Sequence, residues 1–395
     1  MTGSARRIGV DERRARLVRR HHLGAADRAP DVPTLAGDLV GLHASDPVSP
    51  YLAAVARIEG LTVADIERAL YEERSVLRML GMRRTMFVVP TELVPVVQAA
   101  CTRAIAVAER KRLVQLVEQG GVAEDGARWL DEANEATMRA LAARGEAFAS
   151  ELSADVPALR ARIRLAEGKA YASDSNLTTF VLFRLAADGR IARGRPRGTW
   201  ISSQHRWAPT EWWFPDGLPD LPTAEARVEL VRRWLRAYGP ATVDDVRWWT
   251  GWGQRDTRAA LAGLTTAEVD LDGAPGVVLG DDVDPEPGVA PVAVLLPALD
   301  PTVMGWKARD WYLGAHRAAL FDRNGNAGPT VWWDARVVGG WAVRPDGTVA
   351  HRLLEDVGVE AAAAVDEAAA HLETWLDGTR FTPRFRTPLE RELSA

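Results

Sequence analysis

The stretch Gly41-Leu-His-Ala-Ser-Asp-Pro-Val-Ser-Pro-Tyr-Leu52 decides how this chain is read. An apolar segment with helical spacing, Leu35, Leu39, Val40 and Leu42, runs into two polar side chains, His43 and Ser45. Asp46-Pro47 then breaks the helix, because proline disfavours the α conformation in the residue before it. The expectation is a helix over about 33–45 whose end presents an imidazole and a hydroxyl one residue apart, a pair able to hold a water molecule. Taken alone, such a pair is more often a satisfied half-buried histidine and a helix-terminal serine.

Around this stretch the order of elements repeats. Residues 5–22 read as a helix with Ile8, Val10, Leu17 and Val18 on its apolar side and arginines elsewhere. A third helix begins at Thr62-Val-Ala-Asp65, which has capping-box spacing. Val76-Leu-Arg-Met-Leu-Gly-Met-Arg-Arg-Thr-Met-Phe-Val-Val89 then reads as a hairpin with Gly81 to Arg84 at its tip. Three helices followed by a hairpin is the order of a winged helix. Residues 91–150 read as helical. Residues 155–207 form a second unit that ends in strand, turn, strand, with Arg193, Arg195 and Arg197 at the turn and Arg206 beyond it. Residues 223–264 show the tri-helical helix-turn-helix pattern, with a second capping box at Thr242-Val-Asp-Asp245. An acidic loop over 266–295 precedes short β-like runs that read as a small barrel or curved sheet, then a helix at about 359–377.

Charge is local rather than global. The chain carries a net −5 over 395 residues, but residues 1–120 hold 18 basic against 14 acidic side chains, and residues 223–395 hold 18 against 26. Between 184 and 206 lie six arginines and one acid, Asp188. Phosphate binding requires a basic patch, not a basic protein. That arginine-rich turn is either a solvated surface or a reach toward backbone phosphate. The pairs Trp212-Trp213, Trp248-Trp249 and Trp332-Trp333 read as one ring in the core and one at its edge, in preference to a base-stacking surface.

Several chemistries find no support. A single cysteine, Cys101, excludes an internal disulfide and a cysteine-ligated metal site. There is no P-loop, no dinucleotide fingerprint, no His-Glu-x-x-His helix and no nucleophile elbow. Neither a metal nor a cofactor is expected. No apolar run long enough to span a bilayer and no secretion signal are read, so cytoplasm is the default compartment.

Five segments together resemble the winged-helix DNA glycosylases of the AlkZ and YcaQ type. They are Gly41–Leu52, Met82-Arg-Arg-Thr-Met-Phe-Val88, Arg197-Gly-Thr199, Leu295-Leu-Pro-Ala-Leu-Asp-Pro-Thr-Val-Met-Gly-Trp306 and Asn324-Gly-Asn-Ala-Gly-Pro-Thr-Val-Trp-Trp333. The resemblance covers nearly the whole chain. It implies a mainly α, α+β fold of three tandem winged-helix units (5–120, 121–222 and 223–265) and a C-terminal β-barrel-like domain (266–395), set around a cleft for duplex DNA. It further implies excision of bulky N7-alkylated purines from double-stranded DNA by a monomer, in some members with unhooking of crosslinks, as repair or as self-resistance to a genotoxin.

The family's catalytic positions, usually Gln-x-Gln or Gln-x-Asp, align with His43 and Ser45. In this light His43 orients or deprotonates a water, a role worth about 10²–10⁴-fold for a positioned base. Ser45 holds the same water or a sugar oxygen. Asp46 is either an ordinary turn residue or electrostatic support. Arg83, Arg84, Arg193, Arg195, Arg197 and Arg206 are the expected DNA contacts. No lyase step is expected, since none of the lysines (Lys111, Lys169, Lys307) lies in the motif. The competing reading is a DNA-binding protein, a regulator or lesion binder, with a degenerate motif and no catalysis.

Overall fold

The computed structural model describes residues 5–165 and 173–395, so Lys169 lies outside the described residues. The fold mixes helices and strands, as the α+β reading expects.

In the N-terminal part, helices Val10–Arg20, Val32–Asp38, Ser49–Val55 and Val63–Glu67 precede strands Val76–Leu80 and Met86–Pro90. Asp31 caps the second helix by accepting the Thr34 N–H at 2.8 Å. Thr62 and Asp65 form the expected reciprocal capping box. One expectation fails. The second helix stops at Asp38, not near 45, because Val40 and Gly41 take positive φ of 54° and 104°. A Cβ at Gly41 would lie 2.9 Å from Val89 Cγ1, so only glycine fits this turn against the sheet. The chain leaves it as a short strand, Leu42–His43, which pairs with Val88 and Phe87 in a three-stranded antiparallel sheet. The helix Ser49–Val55 was hidden by Ser49-Pro50. Pro50 sits in its first turn, where a missing N–H costs nothing.

The apolar helical segment Thr91–Gln119 is long and apolar enough to cross a membrane by composition. Its apolar residues Val94, Val97 and Ala100 instead share a core with Leu230, Val231 and Trp234 of the helix Thr223–Tyr238. Helices Gly126–Arg144 and Thr178–Ala187 enclose a separate core with the hairpin Ile191–Pro196/His205–Pro209. Helix Val243–Thr250 carries the second capping box and ends at Gly251, in the left-handed region at φ 78°. Helix Gln254–Ala262 follows.

The acidic stretch is not simply a loop. Thr266–Leu271 and Ala274–Leu279 form a hairpin, to which Arg6–Arg7 adds a parallel strand. Its acids pair with Arg7 of that strand and with arginines of the first helix: Arg7 with Asp272, Arg16 and Arg20 with Asp282, and Arg19 with Glu286. The basic N-terminus is therefore consumed in holding the two ends of this sheet together and is not a free phosphate-binding patch.

The expected barrel is also corrected. Strands Ala293–Leu296, Thr330–Trp333, Arg336–Val343 and Val349–Leu353 make an open antiparallel sheet in that order. The helix Gly358–Leu376 packs against the first and fourth strands, which do not pair with each other, so the sheet does not close.

One buried ion pair joins this sheet's approach loop to the N-terminal part. Arg57 and Asp300 are both fully buried, and two guanidinium nitrogens meet the carboxylate at 2.7 and 2.9 Å. Arg57 also donates to the carbonyls of His21 and Ala53 and to Thr302 Oγ1. Removing one member of a buried pair strands the other charge, at a cost of about 3–5 kcal/mol. Asp300→Ala is expected to lower the urea unfolding midpoint strongly, while Arg128→Ala in the exposed Arg128–Glu132 pair leaves it unchanged. Equal midpoints for the two variants would refute the weight given to the buried pair.

Candidate active site

The turn at Val40-Gly41 places His43 at the end of an edge strand, its ring 5.0 Å from that of Phe87. Only 4% of His43 is exposed. The Ser45 N–H faces its Nδ1 at 3.4 Å, the outer limit of a hydrogen bond. Among the described residues nothing bonds its Nε2. Burial, with the nearby Arg83 charge adding to it, pushes the imidazole down to about 3. His43 is thus neutral at physiological pH. With Nδ1 accepting from Ser45, its proton sits on Nε2, which is then a donor.

Ser45 is half-buried, and its Oγ accepts the Met86 N–H at 3.1 Å. Its hydroxyl hydrogen and second lone pair remain to be used. Asp46 is 2% exposed, and both its oxygens accept backbone N–H groups, from Val48 at 3.2 Å and from Arg384 at 2.7 Å. Burial raises its pKa against the pull of these amides. Asp46 is an anchor for the loop, which fits the turn reading; its carboxylate is sealed away from bulk solvent.

The sequence-chosen arginines divide into two groups. Arg84 pairs with Glu109 at 2.6 Å, Arg195 with Glu67 and Glu72 at 3.1 and 2.7 Å, and Arg206 with Glu146 at 2.7 Å. These three side chains are each paired with an acid while remaining partly exposed. Arg83, Arg193 and Arg197 make no ion pair among the described residues. Arg83 lies 4.1 Å over Trp248, and burial, then Arg309, pulls its pKa down to about 10. Arg197 is exposed and lies 4.2 Å over Phe148. Arg193, over Trp207 at 5.6 Å, is lowered to about 10 by burial, then by Arg78 and Arg384. A groove of about 380 Å³ runs past Phe148, Phe183, Arg193, Arg197, His205 and Trp207.

Three further arginines belong to this region. Arg309 is 4% exposed and lies 4.8 Å over the same Trp248 ring as Arg83. Arg78, 3% exposed, donates to His205 Nε2 at 2.7 Å. Arg384 donates to the Ser45 carbonyl at 3.4 Å. The lone charge of Arg78 inside the apolar run Val76–Leu80 was a usable signal. The other two sit in segments with no local pattern to mark them. In two of the three tryptophan pairs one ring is buried, Trp249 and Trp332, with its neighbour at the core's edge, whereas Trp212 and Trp213 are both only half-buried, with Arg74 over the Trp212 ring at 4.7 Å. Among the described residues, no group of three His, Cys, Asp or Glu side chains is placed to hold a metal.

A model of the AlkZ-like DNA glycosylase family matches residues 36–375. The chain belongs to the AlkZ-like DNA glycosylase family. It is accordingly a DNA glycosylase, an enzyme of DNA repair that cleaves the bond between base and sugar, with DNA as its partner. Its fold is similar to that of the Streptomyces sahachiroi DNA glycosylase AlkZ, at a TM-score of 0.71 and 20% identity, over 95% of this chain and 98% of that one. No curated protein sequence matches this glycosylase.

The buried imidazoles make this glycosylase acid-sensitive. His43 and His205 are held down to about 3 and about 2, His205 by burial and then by Arg78 and Arg193. In the unfolded chain both titrate near about 6.5. Below that pH the unfolded chain binds protons that the folded one does not, so stability is full above it and falls as pH drops toward the folded values. The urea midpoint is expected to fall between about pH 6.5 and 4.5, above the range where carboxylates titrate. A flat midpoint across that interval would show that these imidazoles are not sealed.

Proposed function

We propose that this glycosylase hydrolyses the N-glycosidic bond of bulky N7-alkylated purines in duplex DNA, by a monofunctional mechanism. The observation that carries the reading is the pairing of a neutral Nε2–H donor on His43 with a free hydroxyl on Ser45, beside guanidinium groups that have no carboxylate partner. N7-alkylation makes the purine cationic and therefore a good leaving group without a general acid. The C1′–N9 electrons return to the base and quench its charge, leaving an oxocarbenium-like sugar. What remains is to hold a water near C1′. His43 Nε2–H donates to the water oxygen, and Ser45 Oγ accepts one of its hydrogens. The proton of the attacking water passes to solvent once the new C–O bond has formed.

The orienting role replaces the deprotonating one. A general base needs a lone pair, and the one on Nδ1 is turned toward the Ser45 amide. Neither Lys111 nor Lys307 is placed at this segment, which supports a hydrolysis without a lyase step.

The bland alternative, a DNA-binding protein with a degenerate motif, is less well supported, because a surface serving affinity alone has no need to bury a neutral imidazole beside a free hydroxyl. On the proposed reading the winged-helix-like units and the C-terminal sheet enclose the duplex in an open cleft. Such a cleft suits bulky adducts better than a tight base-flipping pocket. Crosslink unhooking, self-resistance to a genotoxin, a monomeric state and a cytoplasmic location complete the proposal.

Release of N7-alkylguanine from a duplex tests it. His43→Ala is expected to reduce the single-turnover rate by about 10²-fold, within the range for loss of one preorganised donor. His43→Gln restores a donor and is expected to keep most of the rate. Ser45→Ala combined with His43→Ala should cost little more than the single change, since both serve one water. Across pH 5–8 the rate should show no inflection from His43, whose titration lies far below. Undiminished release by His43→Ala would remove the imidazole from the mechanism.

A further inference from the structure

Two arginines, Arg384 and Arg78, reach carbonyls of the loop that carries Ser45, Arg193 lies near enough to feel both charges, and none of the three has a carboxylate within salt-bridge distance among the described residues. Arg384 donates through Nη1 to the Ser45 carbonyl at 3.4 Å, and its own backbone N–H donates to Asp46 Oδ2 at 2.7 Å. Arg78 reaches the Pro47 carbonyl, two residues on, at 3.5 Å. Arg193 and Arg78 line one small cavity. The one acid in the loop, Asp46, is already committed at both oxygens to backbone amides.

Several arginines around this region are paired with acids: Arg195 with Glu67 and Glu72, Arg206 with Glu146 and Arg84 with Glu109. Leaving three cations together without one is electrostatically unfavourable, and an arriving anion relieves it. Arg384 also differs from its neighbours in exposure. Its side chain lies open to solvent, while Arg78 is 3% exposed and Arg193 half-buried. It comes from a segment beyond residue 375, where the match to the family ends. That segment is anchored to the fold on both sides. Phe381 packs against Trp200 with ring centroids 6.4 Å apart, and Thr387 leads into the helix Pro388–Leu393.

We infer that Arg384, backed by Arg193, binds a backbone phosphate of the DNA strand whose sugar faces His43 and Ser45, so that the C-terminal segment supplies a positioning residue for base excision. This rests on the reading that duplex DNA occupies this face. The guanidinium that grips the phosphate is the same one that touches the Ser45 carbonyl. Strand placement and the position of the catalytic hydroxyl are thereby coupled through a single side chain. Arginine suits the task because its planar fork can serve a phosphate on one edge while a carbonyl occupies the other.

The test is the salt dependence of binding to an undamaged duplex, read by fluorescence anisotropy between about 50 and 200 mM KCl. Each phosphate contact contributes about 0.9 to the slope of log affinity against log salt. Arg384→Gln keeps the backbone N–H that holds Asp46 and is expected to reduce the slope by about 0.9, with the thermal midpoint unchanged. Arg384→Lys should restore it, and Arg193→Gln should lower it in the same sense. If Arg384→Gln slows base release but leaves the slope intact, the residue merely buttresses Ser45 and the inference is overturned, with the glycosylase reading untouched. Failure of the unaltered protein to bind duplex at all would overturn both.

Discussion

The Arg57–Asp300 pair is the contact on which the geometry of the site depends. Its five guanidinium N–H groups have five acceptors, spread over the first helix's end, the helix Ser49–Val55 and the loop before the C-terminal sheet. A buried pair with every donor satisfied is rigid, because any displacement leaves a charge or a donor unmet in low dielectric. Ser49 Oγ adds a bond to the Ala298 carbonyl at 2.7 Å, so the helix after the loop that carries Ser45 is tied to the same approach loop at its other end. The segment 43–46 is therefore held between a sheet on one side and a fully bonded ionic junction on the other. That is how residues more than 300 positions apart, Ser45 and Arg384, can be kept in register.

The order of elements was legible because each carries its own local chemistry. The capping boxes at Thr62 and Thr242, the hairpin at 76–90 and the amphipathic helix from 223 need nothing beyond their neighbours to declare themselves. What escaped was set by distant contacts. The helix expected to run to 45 is stopped by a left-handed turn that pays off only once Val89 and Phe87 are packed behind Gly41. The sheet was read as possibly closed because its strands and turns look alike in either case; whether the first edge meets the last or meets a helix is decided by where Gly358–Leu376 lands.

The site was legible in its residues more than in its setting. His43 and Ser45 were chosen for what they can bond, and those capacities survive in the structure, though on a strand rather than a helix end. Local crowding of arginines in the sequence says nothing of the acids that fold back onto some of them. Glu67, Glu72 and Glu146 lie well before the turn whose arginines they pair with. Arg83, Arg193 and Arg197 were named from the sequence; Arg309 and Arg384, which also lack acid partners among the described residues, lie in segments with no local pattern to mark them.

A division of electrostatic labour follows. An imidazole held down to about 3 by burial is uncharged near neutral pH. For a substrate whose base is itself cationic, a protonated histidine at this position would repel the group to be excised and would oppose positive charge growing on the sugar. Keeping the imidazole neutral avoids both penalties, and its burial among Phe87 and the sheet is what enforces neutrality. On the proposed reading, positive charge is instead carried by guanidinium groups that would meet phosphate rather than base. In that arrangement the desolvation which makes His43 a poor base is the same property that makes it compatible with a cationic lesion. A variant that opened the pocket to solvent would gain basicity at the expense of that compatibility.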